Sequence, residues 1–241
     1  MGLFFKRFKV VFSDYFKEVI YGGMDGIVTT FAVVAGFAGA ALSSEQTTQL
    51  SFFVVLLFGL ANLFADAASM ALGNLLSVRS AKDIYNIVRG REKESILTNP
   101  DFGRTQTISI LEEKGFSNSD AVTLVDIYRH NKEYWLDFMM HHKQELPDPR
   151  GENEFFTGLA TFLSFLVFGA IPLLPFILQI SADPATAFFY SSISTFLALV
   201  ILGLLKWRVI GEKLTASLFE VVLIGGTAAI LAYFVGTFFA T

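Results

Sequence analysis

Cysteine is absent from this chain of 241 residues. Disulfides, thiolate metal ligands and thiol catalysis are therefore excluded. The chain also has no excess of basic residues, since its net charge is −4. This charge argues against nucleic acid as a partner. What remains is strongly apolar: 53% of the residues are hydrophobic, 27 are phenylalanine and the mean hydropathy is +0.55. Such a composition is unsuited to a soluble domain of this size and indicates a polytopic membrane protein.

Five apolar segments are long enough to cross a membrane, since a spanning helix needs about 20 residues. They cover residues 19–41, 50–77, 155–179, 187–205 and 216–239. The residues before the first segment are polar and basic, so we expect no cleavable signal peptide there. Residues 4–18 are predicted to form a short amphipathic helix on the membrane surface. The predicted fold class is an all-α integral membrane protein with five transmembrane helices and a cytoplasmic helical insertion between the second and third.

Lysine and arginine are missing from two connections between the spans, residues 43–49 and 179–185. All 18 basic residues precede the first span, lie between Arg79 and Arg150, or separate the fourth span from the fifth. The positive-inside rule then places the N-terminus and the long connection in the cytoplasm and the C-terminus outside. The predicted organisation has four parts: the N-terminal helix 1–18, spans one and two within 19–78, a cytoplasmic metal-binding domain 79–154, and spans three to five within 155–241.

The 79–154 segment is predicted to form three or four helices. The Asn99-Pro100 pair should interrupt the helix that continues the second span, because proline cannot donate a backbone hydrogen bond. Ser117, with Asp120 in the following turn, is typical of a helix N-cap. A last helix is predicted over about 131–145, before two prolines.

Asp25 and Asp66 lie inside two of the apolar runs. A carboxylate at membrane depth costs roughly 2.5–3.5 kcal/mol on insertion scales, so such a residue is rarely present without a use. If spans one and two form an antiparallel hairpin, each aspartate lies sixteen residues from the end of its span at the turn. Both carboxylates should therefore lie at the same depth, which indicates a path for a cation.

The neighbours of these acids suggest which cation is bound. Asn62, Asp66, Met70 and Asn74 recur every four residues and share one helix face, and Thr29 lies one turn beyond Asp25. Oxygen donors with one thioether suit Fe²⁺ or Mn²⁺ better than Ca²⁺ or Mg²⁺. The alternative is that the aspartates are polar helix-packing groups, one of them protonated and bonded to the other or to Thr29.

Two further features of the spans allow more than one interpretation. Gly22, Gly23 and Gly26 flank Asp25, and they either permit close helix packing or leave backbone carbonyls open to an ion. Glu220, about one turn inside the fifth span, is a candidate proton-coupling carboxylate. It could equally extend to the interface or pair with Lys213.

Several sequence strings resemble the vacuolar iron transporter family across nearly the whole chain. They are YGGMDGIVTTFAVVAG, ADAASMALGNLLSVRS, NKEYWLDFMM, PDP and GAIPLLPF. The resemblance implies a five-span homodimer with the ion path at the subunit interface. It also implies export of Fe²⁺ or Mn²⁺ from the cytosol, in exchange for protons.

Within this resemblance, Asp25 matches the first-span acid of the family and Met70 its second-span thioether. Asn62 stands where the family carries a glutamate, and Asp66, where a small residue is usual, could supply that charge one turn deeper. At the position of Glu220 the family more often has a neutral polar residue. These departures leave the ion and the proton coupling open.

The 79–154 segment departs further from the family, whose iron-transporting members bind several metal ions through glutamates there. Glu92 and Glu94 fall in the corresponding region, but Arg104 and Thr107 stand near two other expected positions.

The last helix of that segment offers a different metal site. Glu133, Asp137, His141 and Glu145 are four residues apart, and His142 adjoins them. They are plausible ligands for Fe²⁺, Mn²⁺ or Zn²⁺. A solvated charge stripe paired with Arg129, Lys132 and Lys143 fits the pattern equally well.

The sequence therefore predicts a divalent-metal transporter that is not an enzyme and holds no tight cofactor, since its metal is the transported ion. Its expected partners are divalent metal ions, the lipid bilayer and a second copy of the chain. A di-iron oxidising enzyme is disfavoured, because no histidine has a glutamate three residues before it. A metal sensor or scaffold that transports nothing is the other alternative. The compact length favours a bacterial inner membrane over a vacuolar membrane.

Overall fold

The computed structural model describes residues 15–42, 48–180, 183–211 and 213–238. Within these ranges all regular secondary structure is helical, with two 3-10 turns at Pro149–Gly151 and Ile171–Leu173. The α-helices are α1 (Phe16–Leu42), α2 (Thr48–Thr98), α3 (Pro100–Glu113), α4 (Asn118–Tyr128), α5 (Lys132–His142), α6 (Glu154–Gly169), α7 (Leu174–Ile177), α8 (Pro184–Ile210) and α9 (Leu214–Phe238).

Five stretches of these helices are long and apolar enough to span a membrane, which confirms the predicted all-α fold with five transmembrane helices. They are Phe16–Gly39, Phe53–Thr98, Glu154–Ile177, Ala185–Ile210 and Leu214–Phe238. The predicted surface helix over 4–18 lies mostly outside the described residues. Its last three residues belong to α1 instead, because α1 begins at Phe16.

The third span is interrupted in its C-terminal third by two prolines. Regular α-helix stops at Gly169, and a 3-10 turn and the short helix α7 follow, with Pro172 and Pro175 early in these two elements. Because proline has no backbone N–H, carbonyls in this stretch lose their helical partners. Ser191 and Ser194 of α8 compensate, donating to the backbone oxygens of Pro172 (2.6 Å) and Ile171 (3.3 Å).

The chain divides into two compact units. The first, here called the membrane unit, contains the described residues up to Leu75 and from Phe155 onward. The second, here called the helical unit, contains Leu76–Glu154. The helix α2 contributes residues to both units.

Glycines let α1 pack closely on its neighbours in the membrane unit. A Cβ at Gly22 would lie 2.8 Å from the backbone oxygen of Thr161, and one at Gly26 would lie 2.5 Å from that of Phe165. Only glycine permits this approach of α1 to α6. The contact holds α1 at a defined height beside α6, with Phe165 and Leu173 fully buried in the adjoining core.

The helical unit has its own apolar core, formed around Trp135, Leu136 and Met139. The indole Nε1 of Trp135 donates to the hydroxyl of Thr107 (2.8 Å), so its polar edge is satisfied inside the core. As the sequence indicates, Ser117 caps α4 by accepting from the backbone N–H of Asp120.

The last helix of this unit is shorter than expected. Helix α5 ends at His142, and Glu145 has a left-handed backbone with φ 52°. Leu146 donates its backbone N–H to the carbonyl of Met140, so the chain turns before it reaches Pro147. The expected helix over 131–145 is therefore too long at its C-terminal end.

Candidate metal site

Asp25 projects from the part of α1 that Gly22 and Gly26 hold against α6, and it is partly buried. Thr29, one turn later, donates its hydroxyl to the backbone oxygen of Asp25 (2.8 Å). Such a bond inside a helix uses the hydroxyl proton locally. Thr29 therefore does not hold the Asp25 carboxylate.

Asp66 lies on α2 and is also partly buried. The amide nitrogen of Asn62, one turn earlier, donates to Asp66 Oδ2 at 2.7 Å. This bond orients the carboxylate and leaves its second oxygen available. The pairing of Asn62 with Asp66 follows the four-residue spacing seen in the sequence.

The carboxylates of Asp25 and Asp66 are close enough for their charges to interact. Neither has an ion-pair partner among the described residues of the chain. Two unneutralised carboxylates that repel each other favour a bound cation or a proton between them. The structure thus brings together the two acids that the sequence placed at matching depth.

The other residues of the α2 face have different surroundings. Met70 is partly buried against the apolar core of the membrane unit. Asn74 donates its side-chain N–H to the hydroxyl of Thr161 on α6 (2.9 Å). On this face Asn62 and Asp66 are therefore bonded to each other, Asn74 is bonded to α6, and Met70 lies between them at the edge of the core.

Glu92, in the helical unit, is only 4% exposed. The ammonium group of Lys143 donates to both of its carboxylate oxygens at 2.9 Å, and Gln144 Nε2 adds a bond of 2.8 Å. A buried carboxylate that accepts three hydrogen bonds, two of them from a neutralising lysine, is a satisfied ion pair. Glu94 lies exposed on the same helix, α2.

Glu133 and Asp137, on α5, are engaged by basic residues. Arg89 Nη2 donates to Glu133 Oε2 (2.6 Å) and Arg89 Nη1 to Asp137 Oδ1. Lys93 (3.2 Å from Glu133) and Arg150 (3.4 Å from Asp137) complete the network. Lys93, and then Arg89, hold the pKa of Glu133 below its ordinary value.

These contacts resemble the charge-stripe alternative, although the basic partners are Arg89, Lys93 and Arg150 rather than those expected. The ring of His141 contacts that of His142, with centroids 4.7 Å apart. Glu145 lies beyond the end of the helix, so the four residues do not form one continuous stripe. Across the described part of the chain, no group of three or more His, Cys, Asp or Glu side chains is arranged to hold a metal ion.

Glu220 forms an ion pair with a lysine, which agrees with one of the two interpretations of the sequence. The lysine is not the expected one. Its Oε2 lies 2.5 Å from Lys206 Nζ, and its side chain is 56% exposed. Sequence spacing pointed to Lys213 instead. Lys206 is the partner because α8 and α9 pack side by side, which brings Ser217 within hydrogen-bond distance of the Gly203 carbonyl (2.9 Å).

One acidic residue escaped the sequence analysis. Glu18 is buried in the first turn of α1, with 7% exposure, although the sequence suggested the end of a solvated surface helix. The available signal was its spacing from Asp25, because residues seven apart share a helix face. The spacing places the two residues on one face only if a single helix contains both, and this requires α1 to begin before residue 18.

Comparison with known proteins extends over most of the chain. Residues 16–237 match the VIT family. The chain is 37% identical to a vacuolar iron transporter of Toxoplasma gondii over 93% of its own length and 74% of that protein. It is 33% identical to vacuolar iron transporter 1 of Oryza sativa subsp. japonica, over 92% of this chain and 84% of the rice protein. It is 32% identical to vacuolar iron transporter 1 of Arabidopsis thaliana, over 92% of this chain and 84% of the Arabidopsis protein.

Proposed function

The chain belongs to the VIT family of metal-ion transporters, and from that premise we propose that it exports Fe²⁺ or Mn²⁺ from the cytosol in exchange for protons. The observation that carries this proposal is the pair formed by Asp25 and Asp66. Their charges interact inside apolar helices, and neither has a basic partner among the described residues.

The ion identity follows from the chemistry of the donors. A divalent cation between Asp25 and Asp66 neutralises both charges and replaces part of its water shell with carboxylate oxygen. Asn62 orients Asp66, and Met70, one turn further along α2, adds a thioether in the same stretch. Oxygen donors with one sulfur favour Fe²⁺ or Mn²⁺ over Mg²⁺ and Ca²⁺.

Proton exchange follows from the same pair. When the metal leaves, two carboxylates remain that repel each other in a medium that disfavours charge. Protonation removes both the repulsion and the cost of the buried charge. Protons arriving from the far side therefore promote metal release. We infer from the distribution of basic residues that the N-terminus is cytoplasmic. Exchange for protons that enter from the opposite side would then drive the metal ion out of the cytosol.

We also propose that two copies of the chain enclose this path. Asp25 and Asp66 remain partly exposed in the single chain. A carboxylate facing lipid is costly, so a second polypeptide that covers this surface stabilises the assembly. The family resemblance implies the same homodimer.

Transport is a better proposal than sensing because of the charges in the helical unit. Glu92, Glu133 and Asp137, which a sensor would need for metal, are engaged by lysine and arginine. A tethered ammonium or guanidinium group competes with an incoming metal ion for these oxygens.

The test is flux in proteoliposomes loaded with a metal-sensitive dye. Fe²⁺, Mn²⁺, Co²⁺ and Zn²⁺ are offered with and without an imposed pH gradient. We expect Fe²⁺ and Mn²⁺ to be transported, faster with the gradient, and Asp25→Ala to reduce flux to that of empty liposomes. Glu113→Gln removes an exposed carboxylate of the helical unit and serves as the matched control. Wild-type flux in the Asp25 variant would remove that residue from the mechanism.

A further inference from the structure

Glu18 is a buried acid with an unsatisfied carboxylate oxygen. Its Oε2 atom is shielded from solvent and accepts no hydrogen bond from any described residue. Four buried side-chain polar atoms lack a partner among the described residues, the others belonging to Thr30, Gln106 and Thr195. Glu18 is the ionisable one of the four.

Helix geometry alone does not account for this burial. An acidic residue in a first turn stabilises the helix dipole, but it does so equally well with its carboxylate in water. Burying a carboxylate without a donor destabilises a fold. Residues retained at such a cost are typically found where function requires them.

The position of Glu18 relates it to the acidic pair. It precedes Asp25 by seven residues, which is two helical turns, so the two side chains share a face of α1 about 10 Å apart along the axis. Gly22, between them, contacts the backbone of α6 at Thr161. Glu18 therefore lies on the same side of α1 as the candidate metal site, nearer the start of the helix.

The adjoining surface of α6 is polar. Thr157, Thr161 and Ser164 are all buried there. Ser164 donates to the backbone oxygen of Val19 at 2.6 Å, and Thr161 accepts from Asn74 of α2. These three hydroxyls are spaced along one face of α6. That helix contacts α1 at Val19, which adjoins Glu18, and at Gly22, which lies between Glu18 and Asp25.

We propose that Glu18 is a third cation-binding carboxyl of the transport path, which holds the divalent metal ion before it reaches Asp25 and Asp66. This inference rests on the proposed function. Binding of the ion supplies the positive charge that the described residues do not provide. A route with carboxylates two turns apart lets the ion exchange one set of oxygens for the next.

The experiment measures initial Mn²⁺ flux against Mn²⁺ concentration for wild type, Glu18→Gln, Glu18→Asp and the control Glu113→Gln. We expect the KM of Glu18→Gln to rise about tenfold with little change in the maximal rate, since uniform binding is lost but the acidic pair remains. Glu18→Asp keeps the charge and should recover most of the affinity. Of the three variants, only Glu18→Gln should show weaker equilibrium binding of Mn²⁺ to the purified protein.

Thermal unfolding separates this role from a structural one. Glutamine has the same shape without the charge, so the melting temperature of Glu18→Gln should be unchanged or higher. A lower melting temperature together with an unchanged KM would identify Glu18 as a structural residue and overturn the inference. An unchanged KM and unchanged Mn²⁺ binding, with wild-type flux intact, would overturn it while leaving the proposed function standing. A wild-type protein that neither transports nor binds Mn²⁺ would overturn both.

Discussion

Two groups of acidic side chains, one in each unit of this protein, have opposite electrostatic surroundings. In the helical unit, Glu92 is enclosed by Lys143 and Gln144, and Glu133 and Asp137 share Arg89. In the membrane unit, Asp25 and Asp66 interact with each other and have no basic partner within the described chain. Fixed cations neutralise the first group, whereas the described part of the chain supplies none to the second. Under the proposed function, an arriving metal ion or proton neutralises that second group.

This contrast separates stability from transport. A carboxylate paired with a lysine of the same chain contributes to one folded state and has little reason to release its partner. A carboxylate without such a partner raises the energy of the empty state and gains most when a cation binds. Exchanging these two surroundings by mutation, or removing one of them, tests the contrast.

The largest effect should come from giving the membrane pair a fixed cation. In Asp66→Lys, an ammonium group would stand beside Asp25 and neutralise it, much as Lys143 neutralises Glu92. We expect Mn²⁺ flux to fall to the level of empty liposomes while the purified protein stays folded. Asp66→Asn, which removes the charge but adds none, is the comparison. Substantial flux in the lysine variant would show that the acidic pair does not carry the ion.

A large loss of stability should follow from removing the fixed cation of the helical unit. Lys143→Met leaves Glu92 buried and unpaired, which typically costs about 3 kcal/mol for a broken buried ion pair. Thermal unfolding in detergent, followed by circular dichroism, measures this loss. The double variant Glu92→Met with Lys143→Met should recover most of it, because the unpaired charge is then gone. A single variant as stable as wild type would contradict the importance of this pair.

A smaller effect concerns the surface charges of the helical unit and depends on pH. Hydrogen bonds from Arg150 lower the pKa of Asp148 from 3.8 to about 2. Because the folded-state pKa is depressed, its contribution to stability is present above pH 4 and is lost as the pH falls toward 2.

Substituting this aspartate tests that dependence. Asp148→Asn should destabilise the protein by less than about 1 kcal/mol at pH 7, since the pair is largely exposed. The difference in melting temperature between the variant and wild type should shrink as the pH is lowered from 5 to 2. Asp148 also caps the 3-10 turn Pro149–Gly151 by accepting from the backbone N–H of Arg150. A difference that stays constant over this range would assign the effect to this cap rather than to the charge.

The smallest effect should come from Glu220→Gln. The Glu220 side chain is largely exposed in its pair with Lys206, and an ion pair screened by solvent contributes at most about 1 kcal/mol. We expect flux driven by a pH gradient to stay within about twofold of wild type. A selective loss of the response to the gradient, with flux at equal pH retained, would restore Glu220 as the proton-coupling residue.

Several parts of this structure were predictable because they depend on neighbouring residues. The five spans follow from hydropathy, and the first helix boundaries of the helical unit follow from Asn99-Pro100 and from the Ser117 cap. The bond between Asn62 and Asp66 follows from the helical period. The end of α5 at His142 was harder to predict, since no glycine or proline stands there and the turn depends on the Leu146 contact.

The sequence by itself determined the number of spans, the place of the carboxylates within them and the resemblance to a transporter family. These properties reside in composition and in spacings of a few residues. The tertiary structure alone decided which acids are neutralised, because the partners are distant in the chain: Lys143 lies 51 residues from Glu92, and Arg89 lies 48 from Asp137. It also decided that Glu18 is buried, since burial depends on how α1 packs in the membrane unit and not on the residues next to it.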